Sequence, residues 1–178
     1  MLDGDGSRLL LNHNKLLKRY DGAIGVKTGY TKKSGRCLLS SAERDGMSLI
    51  AVTLNAPSDW EDHAKMLDLG FSLYQKITLC ESGSESFTIP CVGGDKDSVT
   101  AKNRSELSVV VKRDGAEITR VVELKRFCFA PIAEGAVIGR VCYYSDGVLL
   151  GETDLIAENG VDQIAKRSFW DFITSIFR

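Results

Sequence analysis

Short runs of strand-forming residues, separated by glycine-containing turns, fill residues 79–157 of this chain. The runs cover residues 86–90, 98–101, 107–112, 118–124, 136–144 and 148–157. The turn signals between them are Gly93-Gly94, Asp114-Gly115, Glu134-Gly135 and Asp146-Gly147. Strands that recur with turns every eight to twelve residues or so are typical of a small all-β sandwich or barrel. We therefore predict a β-sandwich domain over residues 79–157.

Residues 1–78 have a different pattern. A strand with glycine in its interior is predicted over residues 23–29, and a hairpin over residues 36–42 and 47–54, with Asp45-Gly46 as its turn. A helix is expected to begin at residues 57–59, because apolar residues then recur at helical spacing. Residues 77–81 are interpreted as the crossing to the β-rich unit. This part of the chain is thus predicted to be a mixed α/β unit.

Residues 158–178 carry apolar side chains on one helical stripe. We predict an amphipathic helix there, with aromatic residues suited to a membrane interface. The alternative is a terminal helix that packs on its own protein or on a partner, and periodicity alone favours this alternative. If the helix lies on a membrane, the residues predicted to contact lipid are Ile164, Phe169, Trp170, Phe172, Ile173 and Ile176.

Composition excludes several classes of function. Hydrophobic residues make up 43% of the chain, charged residues 26%, and the net charge is -1, which gives no general attraction to nucleic acid. Five cysteines are scattered without a Cys-x-x-Cys pair, and only two histidines accompany them. A zinc site is therefore not expected, and we predict buried, apolar cysteines in place of a disulfide framework.

The tripeptide Lys27-Thr28-Gly29 gains its meaning from its surroundings. It ends a predicted strand, and Tyr30-Thr31, a Ser-Gly pair and an apolar hairpin follow it. Further along, residues 130–139 read Ala-Pro-Ile-Ala-Glu-Gly-Ala-Val-Ile-Gly. Over nearly its whole length the chain resembles the low-molecular-mass penicillin-binding proteins, which are serine-type D-alanyl-D-alanine carboxypeptidases with a Lys-Thr-Gly motif.

This resemblance implies an α+β chain of three parts. Residues 1–78 would be the C-terminal portion of a serine β-lactamase/transpeptidase-like catalytic domain, and residues 79–157 the β-sandwich that follows it. Residues 158–178 would be an amphipathic helix that attaches the enzyme to the membrane. For this last segment, the resemblance favours the membrane surface over packing on protein.

The resemblance also implies roles for the motif residues. Lys27 and Thr28 would bind the terminal carboxylate of the substrate, because a cation and a hydroxyl donor are what a carboxylate needs. Gly29 would let the peptide lie along the strand edge as an added strand. Lys27 would also assist proton movement at the nucleophile, and a backbone N–H near Tyr30 would contribute to the oxyanion hole. Neighbouring strand residues point to opposite faces, so Lys27 and Thr28 serve one cleft only if the strand's edge borders it.

Two features of the family's pattern are missing from this sequence. No serine is followed three residues later by lysine, and there is no Ser-x-Asn triplet. Because the activated serine is the nucleophile of this family, we predict that the chain alone is inactive. Many relatives also carry an arginine near the start of the helix after the hairpin. Residues 57–63 contain none here, so Lys27 and Thr28 suffice for the carboxylate or another cation substitutes.

By resemblance, the intact enzyme removes the terminal D-Ala of peptidoglycan stem peptides through an acyl-serine intermediate, needs no cofactor, and binds β-lactams. It would act outside the cytoplasmic membrane, on its outer face, with roles in the cell wall and cell shape. No signal peptide follows Met1, so we expect one on a preceding part. The alternative from another class is a non-catalytic module that binds cell wall or membrane and retains Lys-Thr-Gly as a relic.

One structural consequence follows if the first unit is part of a larger domain. A sheet separated from half of its domain is expected to expose an apolar face, and we expect either that molecules associate through that face or that residues 1–35 are poorly ordered.

Overall fold

A computed structural model describes residues 12–164 of the chain. Within this range the chain divides into two compact units. The residues up to Ile77, together with Val110–Gly115, form the first unit. Thr78–Val109 and the residues from Ala116 onward form the second.

The first unit is a three-stranded antiparallel sheet with one long helix. It begins with the short helix α1 (Leu16–Arg19) and continues with strands β1 (Ala23–Thr31), β2 (Gly35–Arg44) and β3 (Met47–Thr53), in the order β1-β2-β3. Helix α2 (Asp59–Leu73) follows. The strand, hairpin and helix predicted from the sequence are all confirmed.

The hairpin turn has the backbone that its sequence predicts. Asp45 and Gly46 both have positive φ angles, of 51° and 69°. Two consecutive left-handed residues match the twist of a two-residue hairpin, and Asp-Gly is a favoured pair for them. The turn fixes the β2–β3 register in which Ser40 faces Ala51.

Helix α2 covers one face of this sheet. Leu38 and Ala42 of β2, Ala51 of β3 and Leu67 of α2 are almost completely buried. His63 joins the three elements, because its Nδ1 lies 2.5 Å from the Ser40 hydroxyl oxygen and its Nε2 lies 2.9 Å from that of Thr53. Both ring nitrogens thus have a hydroxyl partner, which satisfies a polar side chain that is 0% exposed.

The opposite face of the sheet is apolar and exposed. Ile50 and Val52 of β3 are 71% and 59% exposed. Since paired residues of an antiparallel sheet share a face, Leu39 and Lys27 lie on this side as well. The expectation that the first unit exposes an apolar sheet face is confirmed, whereas association through it remains a prediction.

The remaining strands belong wholly or partly to the second unit. They are β4 (Tyr74–Cys80), β5 (Ser86–Val92), β6 (Ser98–Asn103), β7 (Leu107–Lys112), β8 (Ile118–Leu124), β9 (Cys128–Phe129), β10 (Val137–Ser145) and β11 (Val148–Ala157). Six of them form a sheet in the order β8-β10-β11-β6-β5-β9. Strands β4 and β7 pair as a separate ribbon, and each contains residues of both units.

A single apolar cluster forms the core of the second unit. It contains the fully buried Val141, Leu155 and Val161 and three of the five cysteines, Cys80, Cys91 and Cys128. All five cysteines are free, and four of them are buried.

Glycine allows strands β7 and β11 to approach each other within this unit. A Cβ on Gly151 of β11 would lie 3.3–3.4 Å from the side chains of Leu107 and Val109 in β7. That distance is tighter than most packed contacts, so a side chain at Gly151 would require the side chains of Leu107 and Val109 to shift by a few tenths of an ångström.

The six strands predicted between residues 86 and 157 are all present, but two others were missed. Residues interpreted as a crossing belong to β4, and β9 is only two residues long. Residues 158–164 are not helical, contrary to prediction. The N–H groups of Val161 and Ile132 each donate to the other's carbonyl at 2.9 Å, and Val161 is buried in the core. The rest of the predicted helix lies outside the described residues.

Within residues 12–164, no helix combines the length and the apolar character that crossing a membrane requires.

Burial of His63 makes the stability of the first unit depend on pH. Burial lowers the pKa of His63 below its usual 6.5, against the opposing charges of Asp59 and Asp62. Below pH 6.5 the histidine is therefore protonated more readily in the unfolded chain than in the folded chain. The free energy of unfolding is not reduced by His63 above this pH, and it falls as the pH drops further.

We expect His63→Gln to lower the free energy of unfolding at pH 7.5 and to flatten its dependence between pH 7 and pH 5, as measured by urea denaturation. The slope removed is at most about 1.4 kcal/mol per pH unit. His13→Gln, at an exposed position, should leave the slope unchanged. An unchanged slope in His63→Gln would show that another group controls acid stability.

Candidate functional site

The end of β1 borders an open groove of about 500 Å³ in the first unit. Three consecutive residues of β1 line it, and they meet residues from β2, from the first turn of α2 and from the segment before α1. The lining residues are His13, Lys15, Thr28, Gly29, Tyr30, Arg36, Cys37, Asp59 and Trp60.

Strand β1 lies at the edge of its sheet. It pairs with β2 along its length, from Ala23 to Thr31, and within residues 12–164 its other side has no strand partner. An edge strand presents unpaired backbone N–H and C=O groups that an extended peptide can pair with. Gly29 is exposed, and a Cβ there would contact Cys37 only at 3.8 Å, so the strand is open to close approach at this position.

An arginine occupies the groove in a fixed position. Arg36 Nη2 and Nε donate to the two carboxylate oxygens of Asp59 at 2.7 and 3.1 Å. The Asp59 side chain is 5% exposed, whereas that of Arg36 is 43% exposed. The guanidinium also lies 5.7 Å from the centre of the Trp60 ring. A two-pronged ion pair and an aromatic face hold this cation beside the β1 edge.

Arg36 is the functional candidate that sequence analysis missed. The resemblance predicts an arginine near the start of the helix, but Arg36 comes from β2. It lies beside the helix start because it forms an ion pair with Asp59. Its position follows from the β1–β2 register, which sets Arg36 directly opposite Tyr30. The Asp in the first helical turn was visible in the sequence, but its partner on another strand was not.

The four predicted site residues divide between groove and sheet face. Thr28, Gly29 and Tyr30 line the groove. Lys27 does not line it and is exposed, because it pairs with Leu39 on the face away from α2. Its ammonium donates to the backbone carbonyl of Thr28 at 2.6 Å. The Lys27 and Thr28 side chains therefore leave opposite faces of an edge strand, as strand alternation requires.

Ser40 and His63 are residue types that can act together as a nucleophile and its general base. Both residues are 0% exposed, and neither lines the groove. A hydroxyl without access to solvent or substrate cannot attack a carbonyl group, so this pair is part of the core. His63 therefore has a structural role in the first unit.

The described residues contain neither a metal centre nor most of the predicted lipid contacts. Among residues 12–164, no group of three or more His, Cys, Asp or Glu side chains is arranged to hold a metal ion. Of the predicted lipid-contacting residues, Ile164 is 60% exposed. The others lie outside the described residues: Phe169, Trp170, Phe172, Ile173 and Ile176.

Comparison with protein families matches both units of the chain. Residues 6–58 match the family described as D-alanyl-D-alanine carboxypeptidase. Residues 74–163 match the C-terminal domain of penicillin-binding protein 5. Residues 59–73 lie between the two matches, and the second match begins close to the boundary between the units, which the fold places after Ile77.

Curated relatives extend over almost the whole chain. D-alanyl-D-alanine carboxypeptidase DacF of Bacillus subtilis is 30% identical over 169 residues, which is 92% of this chain and 43% of the relative. DacA of Haemophilus influenzae is 30% identical over 172 residues, covering 91% of this chain and 43% of the relative. The chain thus spans less than half the length of the relatives it matches.

Solved structures have the same fold. Penicillin-binding protein 5 from Haemophilus influenzae superposes with a TM-score of 0.64 at 28% identity, over 83% of this chain and 45% of that one. DacD from Francisella tularensis, a D-alanyl-D-alanine carboxypeptidase, gives a TM-score of 0.56 at 27% identity, over 86% and 39% of the two chains.

The Arg36–Asp59 pair can be tested by a double-mutant cycle of Arg36→Gln and Asp59→Asn in urea denaturation. We expect a coupling free energy of about 1–2 kcal/mol, because the pair is two-pronged and its carboxylate is buried, although the guanidinium is half exposed.

Arg44 and Asp68 provide the control, because they also join β2 to α2, at 3.6 Å, but through a carboxylate side chain that is 62% exposed, whereas that of Asp59 is 5% exposed. Their coupling should stay below about 0.5 kcal/mol. Equal coupling in both cycles would mean that the buried carboxylate does not hold Arg36 in place.

Proposed function

Because this chain belongs to the penicillin-binding protein 5 family of D-alanyl-D-alanine carboxypeptidases and corresponds to the C-terminal part of such an enzyme, we propose that its first unit binds the carboxyl end of a peptidoglycan stem peptide. The observation that supports this proposal is the groove along the free edge of β1, where Thr28, Gly29 and Tyr30 meet the guanidinium of Arg36.

The groove has the chemistry that a peptide carboxylate requires. In our proposal the peptide pairs with the β1 edge as an added strand, and Gly29 lets its backbone come close. The Thr28 hydroxyl and Arg36 supply the donors for the carboxylate. Arg36 would thus substitute for the arginine that many relatives have near the helix start, and the backbone N–H near Tyr30 would serve the oxyanion hole.

We assign Lys27 to the reacting end of the substrate. Its ammonium lies on the exposed apolar face of the sheet and bonds only to the adjacent Thr28 carbonyl among the described residues, so it is available to groups that approach this face. A cation beside an attacking hydroxyl stabilises negative charge and assists proton movement. This is the catalytic role proposed for Lys27.

The nucleophile would come from outside this sequence. The chain contains neither Ser-x-x-Lys nor Ser-x-Asn. Ser40 has a possible base beside its hydroxyl, in His63, but both residues are buried. In the intact enzyme, an activated serine would attack the D-Ala-D-Ala peptide bond, form an acyl-enzyme and release the terminal D-Ala. β-Lactams would acylate the same serine. Alone, the chain is proposed to be inactive.

The C-terminal sequence is proposed to hold the protein on a membrane. Residues 165–178 combine Lys166 and Arg167 with Phe169, Trp170 and Phe172, a composition suited to an anionic interface. We propose attachment at the outer face of the cytoplasmic membrane, where peptidoglycan is accessible.

A second candidate function is a non-catalytic module that binds cell wall or membrane. The observation that favours it is the groove itself, whose lining by Thr28, Gly29, Tyr30 and Arg36 could bind a peptide without a nucleophile.

Labelled penicillin tests the proposed inactivity directly. After incubation with excess reagent and denaturing electrophoresis, we expect no covalent band from this chain, whereas a full-length D-alanyl-D-alanine carboxypeptidase run alongside should be labelled. A stable adduct on this chain would refute the claim that its own hydroxyls lack an activating base.

Binding of a D-alanyl-D-alanine-terminated peptide tests the groove. In nuclear magnetic resonance titrations we expect the amides of Gly29 and Tyr30 to shift with the free acid, and binding to weaken about tenfold or more with the C-terminal amide, because a charge-assisted contact is lost. Arg36→Gln should remove this preference for the acid. Shifts confined to the second unit, or equal binding of acid and amide, would contradict the assignment.

A further inference from the structure

An exposed apolar surface lies at the β9 edge of the second unit. It consists of Val92, Phe127, Phe129, Val137 and Ile164, which we call the aromatic patch; all five are between 51% and 68% exposed. Exposed apolar residues that cluster together indicate a contact surface, unlike ones that are scattered singly. We infer that the aromatic patch is a second lipid contact, which docks on an anionic membrane beside the C-terminal segment. This inference rests on the membrane attachment proposed above.

The two phenylalanines are held outward by the strand that carries them. Cys128 is 7% exposed and packs in the core, so its neighbours Phe127 and Phe129 must point the opposite way. Their rings pack edge to face with centroids 5.3 Å apart. Strand β9 ends the six-stranded sheet, so within the described residues no further strand covers it. The rings therefore form an apolar projection at the sheet edge.

The patch is continuous. Phe129 is directly paired with Val92 in the parallel β5–β9 register. Phe127, Phe129 and Val137 line one open groove of about 440 Å³, whose other lining residues are mostly apolar. Such a groove can take up acyl chains or headgroup carbons when the rings enter the interface.

Basic residues adjoin the rings. Lys125 lines the same groove, and Arg126 follows it; both are exposed, and neither forms an ion pair with a carboxylate of residues 12–164. Two cations next to two phenylalanines match an anionic lipid surface, to which each Lys or Arg adds about 1 kcal/mol of attraction. At the far end of the patch the Asp95 carboxylate accepts the N–H of Asp162, so that side is more acidic. Docking should therefore favour the Lys125 end.

The patch also adjoins the start of the proposed membrane segment. The Ile164 N–H donates to the Gly93 carbonyl at 3.0 Å, one residue after Val92. From Ile164 to Phe169 there are five residue steps, which span at most about 17 Å when fully extended. A lipid-bound Phe169 would consequently hold the aromatic patch close to the same bilayer. A single weak interfacial contact gives reversible attachment, and a second one increases the overall affinity.

Vesicle binding by the full chain tests this inference. Phosphatidylglycerol–phosphatidylcholine vesicles are the anionic probe, and phosphatidylcholine vesicles are the neutral one. Compared with the wild-type chain, we expect Phe127→Ser with Phe129→Ser to lower the partition coefficient on anionic vesicles about tenfold, since the variant lacks the two phenyl rings whose transfer from water into the interface favours binding. Lys125→Gln with Arg126→Gln should weaken binding to anionic vesicles only.

The matched control is Val148→Ser with Leu149→Ser, which removes two exposed apolar residues at the start of β11, beside the β10–β11 turn of the same unit. It should bind as the wild type does. Circular dichroism must show that all variants fold. Hydrogen exchange gives a direct readout: residues 124–131 should exchange more slowly on anionic vesicles, and residues 146–150 should not change.

The failures are distinguishable. If the wild-type chain does not bind vesicles, the proposed membrane attachment is wrong, and this inference with it. If the wild type binds and the double phenylalanine variant binds within twofold of it, only the inference is overturned. Protection of residues 124–131 that appears without lipid at high protein concentration would assign the patch to a second copy. If removal of residues 165–178 speeds the exchange of residues 124–131 without lipid, the patch binds the chain's own C-terminal segment.

Discussion

The packing of α2 on β2 is the constraint on which the first unit depends. The inward face of β2 places Leu38, Ser40 and Ala42 against the helix, and His63 joins that helix to both β2 and β3 through two hydroxyl groups. With the helix fixed, its first turn brings Asp59 to Arg36. The position of the groove cation is therefore a consequence of core packing, and the loop between β3 and α2 supports it, because the Ala56 N–H donates to the Arg36 carbonyl at 3.0 Å.

Strand β1 places its two groups of side chains on different faces of the sheet. Thr28 lines the groove on the α2 side, whereas Lys27 stands on the apolar face that the described residues leave exposed. The edge between these faces is where a peptide can pair with the backbone. In the function proposed here, substrate recognition and proton movement thus come from adjacent residues, separated only by the alternation of a strand.

Strand β9 shows the same alternation used for another purpose. Cys128 contributes to the core of the second unit, and the phenylalanines on either side of it project from the sheet edge. Because β9 is only two residues long, its hydrogen bonds to β5 do little more than orient these side chains. The aromatic patch lies beside Ile164 because the Ile164 N–H donates to the Gly93 carbonyl.

Local patterns in the sequence determined the elements whose signals lie within a few residues. The Asp45-Gly46 turn, the helix after residue 58 and six strands of the second unit could be predicted because turn chemistry and periodicity are short-range properties. The Lys27-Thr28-Gly29 motif and its surroundings indicated the family for the same reason. Tertiary structure alone decided the rest. The pairing of Arg36 with Asp59, the burial of His63, the two-residue strand β9 and the β-bridge at Val161 all join residues far apart in the chain, and their energies depend on register and packing that no local pattern records.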